Sequence, residues 1–383
     1  MSWMIEADKL DVEQKHFIFE EVTSGKNVWI NGFAGSGKSV LLVHAVIEKL
    51  KDNPSATICI VVFTHSLIEM FNLGMNELGI DGNIETMTYY KFNKGNEKYD
   101  YIFCDEVQDL PKSILENMKE RSNQLILAGD SNQSIYDVNP ATQEPTATPS
   151  MIKSVVESNE YELKTIYRLT KSIINVVSSL LPKINIFSAK TDRTKQDITV
   201  KLCKGNNQNQ EVEYIISEAE ELISIDESVA LLFLMHNDII DFIQSLLSIK
   251  KINQWNRVND NNGYPKYDLL NKYLLENNMD IIFVGKGYGD LSEGLTLRKI
   301  IITTYQSSKG LDFDNVFLPF VSNQLNIRNK VLFMVGITRS KKNLYLTYSG
   351  IRHDYVKQID KECTKIDIDN ILNKNNTDIE IDF

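Results

Sequence analysis

The chain has 383 residues, of which 42% are apolar and 24% are charged, as is usual for a globular protein. This length predicts two or three domains, and the sequence has no run of about 18 apolar residues that could form a transmembrane helix. Asp and Glu outnumber Lys and Arg by 52 to 41, a net charge of −11 that argues against broad coating by nucleic acid but leaves room for a local basic groove.

The N-terminal residues and the cysteines predict a cytoplasmic protein with reduced thiols. The first ten residues lack the basic and apolar regions of a secretory signal. The four cysteines are far apart and form no CxxC pair, and the five histidines show no metal-ligand spacing. We therefore expect neither a disulfide framework nor a zinc site.

Apolar, β-rich runs alternate with helical stretches along the first half of the chain. The first strand, Val28–Asn31, precedes a Gly-rich loop and a helix predicted over 38–50. Further strands are predicted at Thr57–Phe63, Tyr101–Cys104 and Gln124–Ala128. This alternation predicts an α/β fold with a parallel sheet covered on both faces, whose ligands lie at the carboxyl ends of the strands.

A loop with three prolines, residues 139–150, precedes a second α/β pattern. Helices are predicted there over 211–222 and 238–249, and residues 251–268 look irregular. The predicted strands are Val229–Met235, Ile281–Val284, Lys299–Thr304, Val316–Leu318 and Leu344–Tyr348. The Asp- and Asn-rich tail after about Lys365 is expected to fray. Sequence self-similarity leaves open whether the two halves are copies of one fold.

A phosphate-binding loop is predicted at residues 32–39, GFAGSGKS, which fit the pattern GxxxxGK[ST] between a strand and a helix. Gly32, Gly35, Ser36 and Gly37 would turn main-chain N–H groups toward phosphate oxygens at a helix N-terminus. Lys38 would reach the β- and γ-phosphates, and the Ser39 hydroxyl would hold Mg²⁺. The alternative is an incidental Gly-rich turn.

An acidic pair, Asp105 and Glu106, follows the strand Tyr101–Cys104. Asp105 would bind Mg²⁺ through water, and Glu106 would orient and deprotonate the attacking water. The alternative is an exposed pair that caps the helix beginning near Pro111. The phosphate loop favours the catalytic interpretation.

Further segments follow these two in a characteristic order. They are Asp105–Asp109 (DEVQD), Gly129–Tyr136 (GDSNQSIY), Tyr167-Arg168, Thr304–Phe313 (TYQSSKGLDF) and Val335–Ser340 (VGITRS), with Leu10–Gln14 (LDVEQ), Phe63–Ser66 (FTHS) and Thr86–Tyr89 upstream. From residue 10 to 348 this order resembles the superfamily 1 helicases of the UvrD/Rep type. The resemblance implies two RecA-like parallel-sheet P-loop NTPase domains in tandem with an ATP cleft between them. We expect them at 1–160 and 161–350, with an irregular insertion near 251–295 and a C-terminal helix and acidic tail at 351–383.

The resemblance also implies roles for individual residues. Gln14 would read the adenine edge, and Tyr167 would stack on the base. Gln133 would sense the γ-phosphate, and Arg168 and Arg339 would approach it from the second domain as arginine fingers. The remaining implied contacts are Gly310 and Asp312 with the nucleotide, Asp312 touching the ribose, and Phe63, Thr64, Thr86, Tyr136 and Thr304 with a single strand. Taken singly, each of these residues also has a purely structural interpretation.

The sequence departs from the full-length relatives in several places. Only residues 90–104 lie between Tyr89 and Asp105, so the first large inserted subdomain is absent, and the second is missing or vestigial. After Tyr136 the chain reads DVNP where the family often has an aromatic–Arg pair, and Asn329 stands where an acidic residue is usual. These departures put autonomous duplex separation in doubt.

Three functions are compatible with these residues. The first is an ATP- and Mg²⁺-dependent translocase or helicase on single-stranded DNA, with RNA less favoured and 3′→5′ polarity by resemblance only. The second is an ATP-gated DNA-binding subunit that controls a protein partner such as a nuclease. The third, a small-molecule kinase, is disfavoured by the complete motif series.

Overall fold

Two compact units make up the chain, which the computed structural model describes over residues 3–130, 134–157, 160–184, 186, 190–191, 196–261, 263–327 and 329–379. The first unit comprises Met1–Leu169 and Ile186–Asp192, and the second comprises Thr170–Asn185 and Arg193–Phe383. The chain passes from the first unit to the second after Leu169 and returns to the first unit for the segment Ile186–Asp192. Arg168, expected on the second domain, is grouped with the first unit.

The first unit is built on a parallel sheet. In chain order its elements are α1 (Val12–His16), β1 (Val28–Gly32), α2 (Lys38–Asp52), β2 (Thr57–Val62), α3 (His65–Glu77), β3 (Asn83–Thr88), α4 (Tyr89–Lys94), β4 (Tyr99–Cys104), α5 (Lys112–Glu120), β5 (Ser122–Gly129), α6 (Pro149–Val156) and β6 (Glu160–Leu163). The six strands lie in the order β3-β2-β4-β5-β1-β6, and a separate pair joins β7 (Thr165–Ile166) to β8 (Lys190–Thr191). The central strands are buried almost throughout, because helices cover both faces of the sheet.

The second unit has a seven-stranded parallel sheet. Its elements are α7 (Lys171–Leu180), β9 (Thr199–Gly205), α8 (Gln208–Ser224), β10 (Val229–Phe233), α9 (His236–Ile249), α10 (Tyr267–Glu276), β11 (Ile281–Phe283), α11 (Leu291–Thr296), β12 (Ile300–Thr304), β13 (Phe313–Leu318), α12 (Lys330–Ile337), β14 (Ser340–Ser349), α13 (Asp354–Gln358), β15 (Thr364–Asp367) and α14 (Ile368–Ile379). The strand order is β11-β12-β10-β13-β14-β9-β15.

The two units share one topology. If the strands of the second unit are renumbered by their order in the chain, with the edge strand β11 left out, their order across the sheet is the same 3-2-4-5-1-6 as in the first unit. The fold class predicted from the sequence, two RecA-like α/β domains with parallel sheets, is confirmed. The carboxyl ends of all strands in such a sheet meet at one edge, which is where the predicted chemical residues lie.

The main departures from the predicted elements occur at sheet edges. β3 has the polar sequence NIETMT and pairs with β2 along its whole length. The sequence did not predict this strand, because it contains no apolar run. The tail that was expected to fray forms β15, which pairs with β9, followed by α14. Ile368 is buried against the core of the second unit, which explains why this polar segment is ordered. Within the part of the chain that the structure describes, no helix is both long and apolar enough to span a membrane.

Candidate functional site

The predicted phosphate loop lies between β1 and α2, as the motif requires. Gly35 and Gly37 have φ angles of +75° and +90°, a region that L side chains rarely adopt. A Cβ on Gly37 would lie 2.8 Å from Gln14 Nε2, and one on Gly35 would lie 2.3 Å from the Cβ of Arg168. The loop is therefore held tightly between two other predicted site residues, and glycine is required at both positions.

Lys38 and Ser39 begin α2 directly after the loop. The Lys38 ammonium donates to the main-chain carbonyls of Gly32 at 2.7 Å and Phe33 at 3.2 Å. Ser36 Oγ is buried and has no hydrogen-bond partner among the described residues. Among the described residues the ammonium is bonded to carbonyls and the buried hydroxyl is unsatisfied. Both groups suit a site for phosphate oxygens, since burial without a partner is costly.

The Ser39 hydroxyl donates to Asp105 Oδ2 at 2.6 Å. Asp105 is only 2% exposed, and burial together with the charge of Glu106 raises its pKa to about 6, against the opposing effects of Ser39 and Lys38. A hydroxyl and a carboxylate oxygen side by side are the hard ligands that Mg²⁺ prefers. The residues present thus fit the cation that the sequence predicts.

Glu106 follows in a left-handed conformation, with φ +57°, and its N–H donates to Asp105 Oδ1 at 2.8 Å. A non-glycine residue there is uncommon, and such geometry clusters at functional sites.

Gln108 is a site residue that the sequence argument did not single out. Its side chain is 3% exposed, donates to Glu106 Oε2 at 2.5 Å and accepts from the N–H of Asp130 at 3.0 Å. A Cβ on Gly129 would lie 2.6 Å from Gln108 Oε1, so this contact needs glycine at the end of β5. The only feature of the sequence that could have indicated this contact is the position of Gln108, two residues after Glu106. Gln133 lies outside the described residues.

Gln14 and Tyr167 both hydrogen-bond to the main chain of the phosphate loop. Gln14 is 3% exposed and donates from Nε2 to Ser36 O at 3.3 Å, while its N–H and Oε1 form a capping box with Asp11. The Tyr167 hydroxyl bonds to the carboxylate of Asp11. The N–H groups of Tyr167 and Arg168 both donate to Gly35 O, at 2.8 and 3.2 Å. The structure thus brings these three predicted residues to the phosphate loop within the first unit.

Three aromatic rings stack beyond the carboxyl end of β2. Phe63 lies between Tyr89 and Tyr136, with centroid distances of 4.9 and 5.4 Å and interplanar angles of 27° and 21°. Tyr89 was not among the predicted contacts, although it closes the Thr86–Tyr89 segment. Thr64 accepts from Leu67 N–H as the N-cap of α3, and Thr86 Oγ1 is buried without a partner among the described residues. The contact of Phe63 and Tyr136 with a single strand stays a prediction.

Arg339, a predicted site residue of the second unit, lies in the interior of that unit. This side chain is 2% exposed and donates to Val335 O at 2.9 Å, Leu311 O at 3.0 Å and Thr338 Oγ1 at 2.9 Å. The bond to Leu311 joins it to the loop that carries Gly310 and Asp312. Its role as an arginine finger stays a prediction.

Thr304 does not lie on an open surface. It is only 4% exposed, and its hydroxyl accepts from Ser307 N–H at 3.2 Å and donates to Ser307 Oγ at 3.1 Å. It therefore caps a turn after β12, and its predicted contact with a single strand remains untested.

Two protein-family models match this chain. The model of the viral superfamily 1 RNA helicase core domain matches residues 28–229, which is more than half of the chain, and the model of the UvrD-like helicase C-terminal domain matches residues 287–350. No curated protein sequence matches it.

Solved structures of low sequence identity also align with it. Arterivirus nonstructural protein 10 (helicase) is 14% identical with a TM-score of 0.43, and the alignment covers 91% of this chain and 64% of that one. The PRRSV helicase is 14% identical with a TM-score of 0.45, covering 85% and 54%. The C-terminal domain of a "possible DNA helicase" from Lactobacillus plantarum WCFS1 is 14% identical with a TM-score of 0.33, covering 52% and 98%. The chain thus spans 54–64% of the length of the two viral helicases.

Proposed function

This chain belongs to the superfamily 1 helicases, a family of NTP-hydrolysing enzymes, and from that premise we propose that it hydrolyses ATP to move along single-stranded DNA. The observation that carries the proposal is the contact of Ser39 with Asp105, beside Lys38 and Glu106. One small volume of the first unit holds a phosphate-binding ammonium, a pair of cation ligands and a candidate general base. An incidental Gly-rich turn would not be expected to lie in hydrogen-bond contact with a buried acidic pair.

Each side chain of this volume has a proposed task. Lys38 exchanges its main-chain carbonyl partners for phosphate oxygens, and Ser36 Oγ gains a partner there. Ser39 and Asp105 hold Mg²⁺, which when bound neutralises charge that develops on the phosphates. Glu106 accepts a proton from the attacking water, and Gln108 fixes the orientation of that carboxylate.

The proposed nucleotide is ATP. Gln14 reads the adenine edge and Tyr167 stacks on the base, as the resemblance to the UvrD/Rep type implies. Both side chains already contact the loop or its cap, at Ser36 O and at Asp11. A purine base bound there would therefore contact two side chains that are hydrogen-bonded to the phosphate loop or to its cap.

The proposed track is a single strand of DNA, read without sequence preference. The stack of Tyr89, Phe63 and Tyr136 supports it, because base–aromatic stacking contributes roughly 1–3 kcal/mol per base whatever the base. The 3′→5′ direction follows the resemblance to the UvrD/Rep type. The match to an RNA helicase model makes RNA the competing track.

The proposal is tested by the ATPase rate of the full chain with no nucleic acid, with oligo-dT and with oligo-U. We expect stimulation that is larger with oligo-dT than with oligo-U, loss of hydrolysis in Lys38→Ala, and ATP that is bound but not hydrolysed in Glu106→Gln. Normal turnover in Glu106→Gln would show that another group is the base. Equal rates with and without either strand would refute the motor.

The second candidate is a DNA-binding subunit whose ATP-driven changes control a protein partner such as a nuclease. It is favoured by the short excursion at 251–295, where the described residues form only α10, β11 and α11. In that case the chain alone would hydrolyse ATP slowly and fail to unwind a forked duplex, and it would copurify with a partner.

A further inference from the structure

Asn139 lies in the segment DVNP, where the sequence departs from the full-length relatives, and it belongs to none of the contacts that the resemblance implies. Its side chain is buried, with 0% exposed. Its amide Nδ2 donates to the main-chain carbonyl of Asp109 at 3.1 Å, and its Oδ1 accepts from the Tyr89 hydroxyl at 3.3 Å. One amide of the first unit thus connects the acidic segment Asp105–Asp109 to the aromatic stack.

The loop that carries Asn139 fixes the position of this amide. The main chain of Asn139 donates to Glu144 O at 2.8 Å and accepts from the N–H of Gln143 at 2.9 Å. Its Oδ1 also accepts from the main-chain N–H groups of Ala141 and Thr142, at 3.0 and 3.2 Å. An Asn side chain that bonds to the main chain two residues further on is typical of a tight turn. The amide therefore cannot rotate without breaking several bonds at once.

Asp109 joins this loop to the candidate base, because it ends the short turn that follows Glu106. Its N–H donates to Glu106 O at 3.1 Å, and its side chain is 0% exposed. Its carboxylate accepts from the N–H of Ile135 at 3.0 Å and from the Ser134 hydroxyl at 3.3 Å. Ile135 directly precedes Tyr136, a ring of the stack. The turn that carries the candidate base is therefore tied to the segment that carries Tyr136.

Tyr89 forms the other end of the connection, at the stack itself. The residue is 6% exposed, and its ring stacks on Phe63 with a centroid distance of 4.9 Å. Its hydroxyl donates to Asn139 Oδ1. The ring and the hydroxyl thus make separate contacts, one with the stack and one with the amide. A substitution that removes the hydroxyl and keeps the ring can therefore separate the two.

We infer that Asn139 is a positioning residue, which couples the ring of Tyr89 to the turn that carries Glu106. An amide suits this task because it supplies a donor for one partner and an acceptor for the other. Since the amide is buried, water cannot easily replace either bond when one partner moves. The inference rests on the proposed function and deepens it, because it names a side chain through which a strand at the stack accelerates hydrolysis.

The test is the stimulation ratio of the full chain, defined as the ATPase rate with a saturating strand, oligo-dT or oligo-U, divided by the rate without one. In Tyr89→Phe we expect this ratio to fall roughly 3- to 10-fold, as the loss of one hydrogen bond allows. The affinity for the strand, measured by anisotropy without nucleotide, should stay within about twofold of wild type, because the ring is kept. Asn139→Ala should lower the ratio at least as much, and adding Tyr89→Phe to it should lower the ratio no further. If Asn139→Ala fails to fold, Tyr89→Phe decides the test by itself.

Tyr99→Phe is the matched control, and it should keep the wild-type ratio. Tyr99 lies in the same unit, is 8% exposed and donates its hydroxyl to Glu85 at 3.1 Å. If Tyr89→Phe lowers the ratio no more than Tyr99→Phe does, the inference is overturned while the proposed function stands.

Two other outcomes also count against the inference. If Tyr89→Phe loses affinity for the strand but reaches the wild-type ratio at saturation, the hydroxyl serves strand binding, and the coupling role of Asn139 is overturned. If neither strand stimulates the wild-type chain, the inference and the proposed function both fail.

Discussion

Gln108 shows how one amide can connect two parts of a catalytic site. Its two ends hold the carboxylate of the candidate base, Glu106, and the N–H of Asp130, at 2.5 and 3.0 Å. Because the residue is buried, water cannot easily replace either bond. We therefore propose that the amide is a positioning group, which orients the carboxylate of the candidate base.

Gln108→Ala should lower kcat for ATP hydrolysis roughly 10- to 100-fold, because a general base that is free to rotate loses its alignment with the water. The KM for ATP should change little, since Lys38 and the loop are untouched. Steady-state kinetics with saturating nucleic acid measures both constants. Because both lost bonds are buried, the variant should melt below the wild-type temperature, and kinetics measured well below that melt separate lost alignment from lost folding.

Gly129→Ala tests the same contact from the other side. The added methyl would lie 2.6 Å from Gln108 Oε1 and 2.7 Å from Val107 Cγ1, so the amide must move. We expect the kinetic change of Gln108→Ala, and no further loss when the two substitutions are combined. Additive losses would mean that Gln108 does not act through this contact.

At the scale of elements, the phosphate loop is fixed by what packs on it as well as by its own glycines. Gly25 lies just before β1, and Gly35 lies in the loop that follows it. Both residues have a φ angle of +75°. Nothing lies within 4 Å of a Cβ built on Gly25, whereas a Cβ on Gly35 would lie 2.3 Å from the Cβ of Arg168. The pair separates the cost of the backbone conformation from the cost of the contact.

We expect Gly25→Ala to lose about 1–2 kcal/mol of unfolding free energy, the cost of a left-handed L residue, with normal ATP binding. Gly35→Ala should lose at least as much and in addition reduce kcat/KM for ATP by roughly 100-fold, because the loop must shift to relieve the contact. Chemical denaturation and ATPase kinetics of both variants provide the measurements. Equal kinetic effects in the two variants would show that the contact with Arg168 is unimportant.

Elements with a strong local pattern were predictable from the sequence, and those defined by their neighbours were not. The apolar runs of β2 and β10 predict buried strands, and the glycines of residues 32–37 predict the phosphate loop. β3 and β15 are polar edge strands, and they exist because a partner strand, β2 or β9, offers free hydrogen bonds. Tyr89 joins the aromatic stack only because β3 and α4 carry it to Phe63. Tertiary contacts of this kind leave no mark in a single sequence.

Over the whole molecule, one topology is used twice but only one copy has a phosphate loop. In the second unit the loop between β9 and α8 reads Gly205-Asn-Asn-Gln208, without the Lys and Ser of the first. Glu211, in the first turn of α8, is 1% exposed and accepts from the Thr347 hydroxyl at 2.8 Å. It lines a cavity of about 230 Å³ together with Asp238 and Asp241. Because this loop lacks the Lys and Ser, and because the carboxylates of Asp238 and Asp241 also line the cavity, we expect this copy to bind no nucleotide.

The same burial makes Glu211 a pH-dependent contributor to stability. Burial raises its pKa from 4.5 to about 7, although hydroxyl and main-chain donors around it favour the charged form. Between about pH 4.5 and about pH 7 the folded chain therefore binds more protons at this group than the unfolded chain does. The contribution of Glu211 to the free energy of unfolding must fall as the pH rises through this window, by up to about 3 kcal/mol.

Glu211→Gln removes the titration and should remove this slope. The measurement is the free energy of unfolding by urea at a series of pH values, and the informative quantity is the difference between wild type and variant. That difference should decline from about pH 4.5 to about pH 7 and then stay level, whatever the variant's absolute stability. Asp241 is an exposed carboxylate in the same cavity, and the variant Asp241→Asn controls for the loss of one negative charge. Parallel curves for wild type and Glu211→Gln across the window would mean that Glu211 is ionised in the folded chain. The second unit would then hold a buried negative charge after its first strand, where the first unit has its predicted phosphate loop.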